Sequence, residues 1–128
     1  MKFQYLGTAA AEDFPAVFCN CEYCQKAREL GGKFLSADDY AFVFDRISSE
    51  LGANVAENLH CHFSKIEWTG SGEKKHLTFE DNLYGPDFEP LIDVIIKEKL
   101  SPTIICESAG TQAEDAKAMK DYYLKISK

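Results

Sequence analysis

From Ser36 onward the chain is strongly periodic. Tyr40, Val43, Phe44, Ile47 and Leu51 recur at helical spacing and define one apolar face. Ser36 can cap this helix, Asp39 three residues later makes a capping-box-like pair, and Gly52 ends the run. Asn58 to Ile66 alternates instead, as a strand does. Leu59, Cys61 and Phe63 fall on one side, and His60, His62 and Ser64 on the other. Gly70-Ser71-Gly72 is a flexible turn, and His76-Leu77-Thr78-Phe79 is a second short extended segment. Gly85-Pro86-Asp87 opens another helix, with Phe88, Leu91, Ile92, Ile95, Ile96 and Leu100 as its buried stripe. Pro90 is tolerated in the first turn, where its missing N–H had no partner, and Pro102 blocks continuation. Thr103-Ile104-Ile105-Cys106 reads as a short strand buried on both faces. Thr111 and Glu114 predict a capping box for a last helix, with Ala116, Met119, Tyr123 and Ile126 inward.

The pattern before Ser36 is weaker. Phe3-Gln4-Tyr5-Leu6 reads as a short strand ending at Gly7, and Glu22 to Leu30 as a short helix stopped by Gly31. This opening is rich in Ala, Cys and Gly, so the chain divides into residues 1–35 and residues 36–128. In the second part the order is helix, strand, short strand, helix, strand, helix. Such alternation predicts parallel β/α units, whose sites collect at the carboxyl ends of the strands.

Bulk properties narrow the functional classes. With 128 residues and 45% hydrophobic positions, the chain can bury a core without disulfide staples. A net charge of −7 opposes binding to a phosphate backbone. Five cysteines, three of them crowded together, do not resemble a secreted disulfide framework. The opening MKFQYLGTAAAEDF lacks the apolar run of a signal peptide, and no stretch approaches a membrane span. These features predict a cytoplasmic protein with reduced thiols.

Two groups of residues could carry chemistry. All three histidines, His60, His62 and His76, lie within 17 positions, and Glu107 ends the apolar strand. Imidazole nitrogen and carboxylate oxygen suit Zn²⁺, Mn²⁺ or Fe²⁺. The competing reading makes the histidines hydrogen-bonded residues and Glu107 a solvated acid. Cys19, Cys21 and Cys24, spaced C-x-C-x₂-C, could hold three corners of a tetrahedral zinc, or be three reduced loop cysteines.

The stretches LHCHFSKIEWTGSGEKKHLTFED, YGPDFEPLIDVIIKEKL and PTIICESAGTQAEDAKAMKDYY resemble the carboxyl-terminal part of endonuclease IV-like proteins. These are xylose-isomerase-like TIM barrels, also called deoxyribonuclease IV or AP endonucleases. The resemblance spans about residues 36–128. It implies an α/β fold of about three barrel units, and metal-assisted cleavage of a phosphodiester in DNA or handling of a sugar phosphate. Within it His60, His76 and Glu107 take the positions of metal-binding and catalytic residues, while His62 takes a position that is usually not a ligand. The family's ligating Asp falls near Lys74, which cannot ligate; Glu73 stands beside it.

The opening FQYLGTAAAEDFPAVFCNCEYCQKARELGGK resembles the start of PhnP-like metallo-β-lactamase-fold hydrolases, some of which use these cysteines for a structural zinc. Their H-x-H-x-D-H motif is missing, because His60-Cys61-His62 has no Asp-His after it, so that activity is not expected. A complete (β/α)₈ barrel takes about 250 residues. The two resemblances together therefore imply a fused or internally shortened chain, with self-association as one way to cover its open edges. Three functional classes follow: a metal-dependent hydrolase or sugar-handling enzyme using Zn²⁺ or Mn²⁺, a non-catalytic zinc-binding module, and a fragment without activity.

Overall fold

A computed structural model describes residues 36–69 and 72–128. The expected strand, helix and cysteine loop of residues 1–35 lie outside the described residues, and with them Cys19, Cys21 and Cys24. The described elements are α1 (Ala37–Leu51), α2 (Ala53–Glu57), β1 (His60–Phe63), β2 (Lys65–Thr69), β3 (Gly72–Leu77), α3 (Glu89–Lys97), β4 (Thr103–Cys106) and α4 (Gln112–Ile126).

The capping box at Ser36 forms: its side chain accepts from the Asp39 N–H, and Asp39 Oδ2 accepts from the Ser36 N–H at 3.0 Å. Gly52, at φ 102, closes α1 with an N–H donated to the Ser48 carbonyl. That backbone conformation suits glycine, which has no Cβ to clash.

A partial TIM barrel is not what this sequence makes. The described strands form two separate two-stranded sheets, with no barrel closure. β1 and β4 pair in parallel, His60 opposite Thr103 through Phe63 opposite Cys106. β2 and β3 pair antiparallel. Two causes separate this from the expected run of parallel units. Ser64 divides the segment read as one strand, so β1 and β2 join different sheets. The connection from Thr69 to Gly72 is also far too short for a parallel crossover, which takes a dozen residues or more, and allows only a hairpin. One parallel crossover remains, from β1 through the hairpin and α3 to β4.

The core lies between one face of the β1–β4 pair and the helices. It joins Tyr40 and Phe44 of α1, Phe63 of β1, Leu91, Ile92, Val94 and Ile95 of α3, Cys106 of β4 and Met119 of α4. An aromatic chain ties the loop after the hairpin to it. Phe79 meets Phe63 edge-on at 5.7 Å and stacks on Phe88 at 4.9 Å, and Phe88 meets Tyr122 edge-on at 5.8 Å. Such pairs add about 0.5–1.5 kcal/mol each beyond area burial.

The last helix turns a different face inward from the one the apolar pattern implies. Asp115 and Met119 are buried, with Ala118 and Tyr122 partly so, whereas Ala116, Tyr123 and Ile126 are exposed. The buried carboxylate explains the shift. Asp115 Oδ2 accepts from the Phe79 N–H at 3.1 Å and from the Thr111 hydroxyl at 3.0 Å. Thr111 therefore spends its side chain on Asp115 and makes no cap to the helix backbone.

Lys65 is the other buried charge. Its Nζ pairs with Asp87 Oδ1 at 2.9 Å and donates to the Asp81 carbonyl at 2.5 Å. The Ile66 N–H donates to the Gly85 carbonyl at 2.8 Å, so the start of β2 and the 81–87 loop are fastened together. No helix among the described residues is long and apolar enough to cross a membrane.

Candidate functional site

The β1–β4 pair has two unlike faces because strand side chains alternate. Phe63 and Cys106 are buried on the helix side; His60, His62, Thr103 and Ile105 are exposed on the other. Glu107 follows β4 directly, and its N–H donates to the Phe63 carbonyl at 2.9 Å. It thus stands at the carboxyl ends of both strands, on the histidine side.

Register decides which imidazole meets it. Glu107 comes one step beyond the Phe63–Cys106 pair, so it is level with Ser64. His62 lies two residues back along β1 and His60 four, a difference of about 7 Å at roughly 3.3 Å per residue. Accordingly, His62 Nδ1 lies 2.5 Å from Glu107 Oε1. His60 sits beside His62, with ring centroids 5.4 Å apart. The fold therefore places His62, the histidine not assigned a ligand role, against Glu107.

His76 arrives from the hairpin. Its Nδ1 lies 2.6 Å from Ser64 Oγ and 4.0 Å from Glu107 Oε2, and its Nε2 lies 2.9 Å from Glu73 Oε1. Residues 73 and 76 would fall on opposite faces of a regular strand. The register breaks between them: Lys75 pairs with Glu67 but Glu73 with Trp68, leaving Lys74 as an extra residue. A bulge of this kind re-aims side chains, and here it brings Glu73 to His76. Lys74 and Lys75 instead pair with Glu67 at 2.6 and 3.6 Å. The Lys74 hydrogen bond is the main cause that holds the Glu67 carboxyl below its ordinary value.

Hydrogen-bonding capacity fixes the tautomers of the neutral rings. An ionised carboxylate only accepts, so His62 presents Nδ1–H to Glu107 and His76 presents Nε2–H to Glu73. The remaining nitrogens, Nε2 of His62 and Nδ1 of His76, are acceptors. In His76 that acceptor takes the Ser64 hydroxyl proton. Ionised carboxylates orienting imidazoles in this way are the usual outer support of metal-binding histidines.

Of the residues named from the sequence, the fold sets His76 and Glu107 4.0 Å apart and keeps His60 two residues further back along β1 than His62. Among the described residues, no three His, Cys, Asp or Glu side chains are grouped to hold a metal ion. Ser64 is an addition: the alternation gave its face, but nothing in sequence linked it to His76. Ser108, one residue past Glu107, is fully buried, and its hydroxyl has no hydrogen-bond partner among the described residues.

No family model matches the chain, and no solved structure matches it. An uncharacterized protein, MJ0133, of Methanocaldococcus jannaschii is 25% identical over 80 residues. Those residues are 62% of this chain and 29% of that protein, so the match spans less than a third of the relative's length.

Proposed function

We propose that this chain carries the metal-binding part of a divalent-metal-dependent phosphodiester hydrolase, with a site like that of endonuclease IV-like proteins. The observation that carries the reading is the approach of Glu107 Oε2 to His76 Nδ1, at 4.0 Å, beyond the carboxyl ends of a parallel strand pair. Donors around a tetrahedral zinc with bonds of 2.0–2.1 Å stand about 3.4 Å apart, so a small inward movement would let both reach one ion. The donor chemistry, imidazole nitrogen and carboxylate oxygen, suits Zn²⁺ or Mn²⁺.

His76 and Glu107 would hold the ion, with His60 the further ligand that the resemblance implies and His62 the imidazole nearest to Glu107. A bound ion would polarise a phosphoryl oxygen and ease ionisation of a water. The chain's own groups supply orientation. Glu73 holds the ring of His76 so that Nδ1, which would exchange the Ser64 hydroxyl for the ion, is turned toward Glu107, and His62 holds one oxygen of Glu107 while the other faces His76. Further ligands and a substrate groove would come from self-association or from the rest of a longer chain. The net charge of −7 favours a small sugar phosphate or phosphodiester over duplex DNA. The two free thiols described, Cys61 and Cys106, accord with a cytoplasmic setting.

The test is hydrolysis of bis(p-nitrophenyl) phosphate, and nicking of duplex DNA at an abasic site, with Zn²⁺ or Mn²⁺ against chelator. The expected result is metal-dependent hydrolysis of the small ester that His76→Ala and Glu107→Gln remove. Glu73→Gln should weaken metal affinity by about 10–100-fold, as loss of an outer support does. No metal-dependent turnover of either substrate, at any protein concentration, counts against the reading.

A further inference from the structure

We infer that Ser64, His76 and Glu73 form a nucleophile relay that can transfer the acyl group of a small neutral ester, independently of any metal. Ser64 Oγ lies 2.6 Å from His76 Nδ1, and His76 Nε2 lies 2.9 Å from Glu73 Oε1. Hydroxyl, imidazole and carboxylate are thus joined in series through the two nitrogens of one ring. A nucleophile within hydrogen-bond reach of a base, with that base oriented by a third group, is the general signature of an activated hydroxyl. The tautomer is the required one, because Glu73 claims the Nε2 proton and leaves Nδ1 to accept from Ser64.

The surroundings fit this use. Two pieces of chain supply the members: Ser64 from the break between β1 and β2, and Glu73 and His76 from the two sides of the bulge in β3. The bulge alone lets Glu73 and His76 meet. Ser64 is only 5% exposed, so the acyl group that reaches it must be small. Glu107, 4.0 Å from the same Nδ1, adds a second carboxylate beside the ring. In the absence of an ion, two acids repel an anionic substrate, whereas a neutral ester meets no such barrier.

The chemistry balances without a further reactant except water. Ser64 Oγ bonds to the ester carbonyl carbon as its proton passes to His76 Nδ1, and the carbonyl electron pair moves onto oxygen. Collapse of that adduct breaks the bond to the leaving alkoxide, which takes the proton from His76. Water then gives its proton to His76 and attacks the acyl carbon, and the released Ser64 oxygen recovers the proton. Ser64 and His76 are the catalytic residues, and Glu73 is a positioning residue.

The experiment uses the full chain in excess chelator with p-nitrophenyl acetate, followed by peptide mass spectrometry. The expected result is a burst of p-nitrophenolate approaching one equivalent, with the acetyl group on Ser64. Ser64→Ala should remove the burst, and Glu73→Gln should slow it at least tenfold while the melting curve stays cooperative. His76→Gln serves as a second base variant if His76→Ala does not fold. Acetylation confined to lysines, or Ser64 acetylated equally fast in a folded His76 variant, would overturn the relay. Because chelator is present throughout, these outcomes are independent of the metal reading. Adding Zn²⁺ then tests that reading separately, since an ion on His76 Nδ1 would suppress the burst.

Discussion

The two faces of the β1–β4 pair differ in almost every respect. The helix side is closed by Phe63, Cys106 and their neighbours from α1, α3 and α4. The opposite side leaves His60, His62 and Ile105 open, with Ile105 43% exposed. One strand pair therefore turns half of its side chains into the core and leaves the other half, His60, His62, Thr103 and Ile105, open. What separates them is the period of two in the strand, and that alternation was present in Leu59 to Ser64 from the start. The lesson is that alternation separated the histidine face from the buried one, but only register identified which residue on it meets Glu107.

Substitutions on the closed side should have the largest effects on stability. Phe88→Ala removes the ring between Phe79 and Tyr122 and should cost about 3–5 kcal/mol by chemical denaturation. A cost below about 1 kcal/mol would mean that the aromatic chain does not link the loop to α4. Asp115→Ala strands the Phe79 N–H and the Thr111 hydroxyl, and should cost about 1–3 kcal/mol. Ser108→Ala removes a buried hydroxyl without a described partner and is expected to be neutral or stabilising by up to about 1 kcal/mol. A clear loss of stability would show that this hydroxyl has a partner. On the open side, Ile105→Thr should change stability by less than about 0.5 kcal/mol.

The thiols refine the same contrast through pH. Burial raises the Cys61 thiol above its ordinary value. It does the same to Cys106, with Asp115 adding to the effect. For a group whose folded-state value is raised, the contribution to stability is complete below the unfolded value and fades as pH climbs through the folded one. Stability should therefore decline as pH rises beyond about 8.5, the ordinary thiol value. Replacing both cysteines with Ala should flatten that decline, which denaturant titrations at several pH values would reveal.

Much of the fold was legible in local pattern. The Ser36 capping box, the Gly52 stop and the apolar stripe of α3 all follow from spacing and turn chemistry. The arrangement of strands did not, because Ser64 gives no sign in sequence that it ends one sheet and begins another. The inward face of α4 was obscured for a related reason: an apolar stripe named Ala116, Met119, Tyr123 and Ile126, and gave no sign of the two donors that await Asp115 inside. At the site, the resemblance grouped His60, His76 and Glu107; the fold sets His76 Nδ1 4.0 Å from Glu107 Oε2 and leaves His60 further back along β1. His62 and Ser64 were not in that group, since their partners are set by strand register and by a one-residue bulge.

The proposed site requires His76 of β3 and Glu107, just past β4, to accept a common ion. Zinc K-edge X-ray absorption on the full chain, loaded with one equivalent of zinc, tests this directly. The predicted spectrum shows a nitrogen and oxygen shell at about 2.0–2.1 Å with imidazole outer-shell scattering, both reduced in His76→Ala. A sulfur shell alone at about 2.3 Å, unchanged by that substitution, would contradict it and assign the metal to the cysteines.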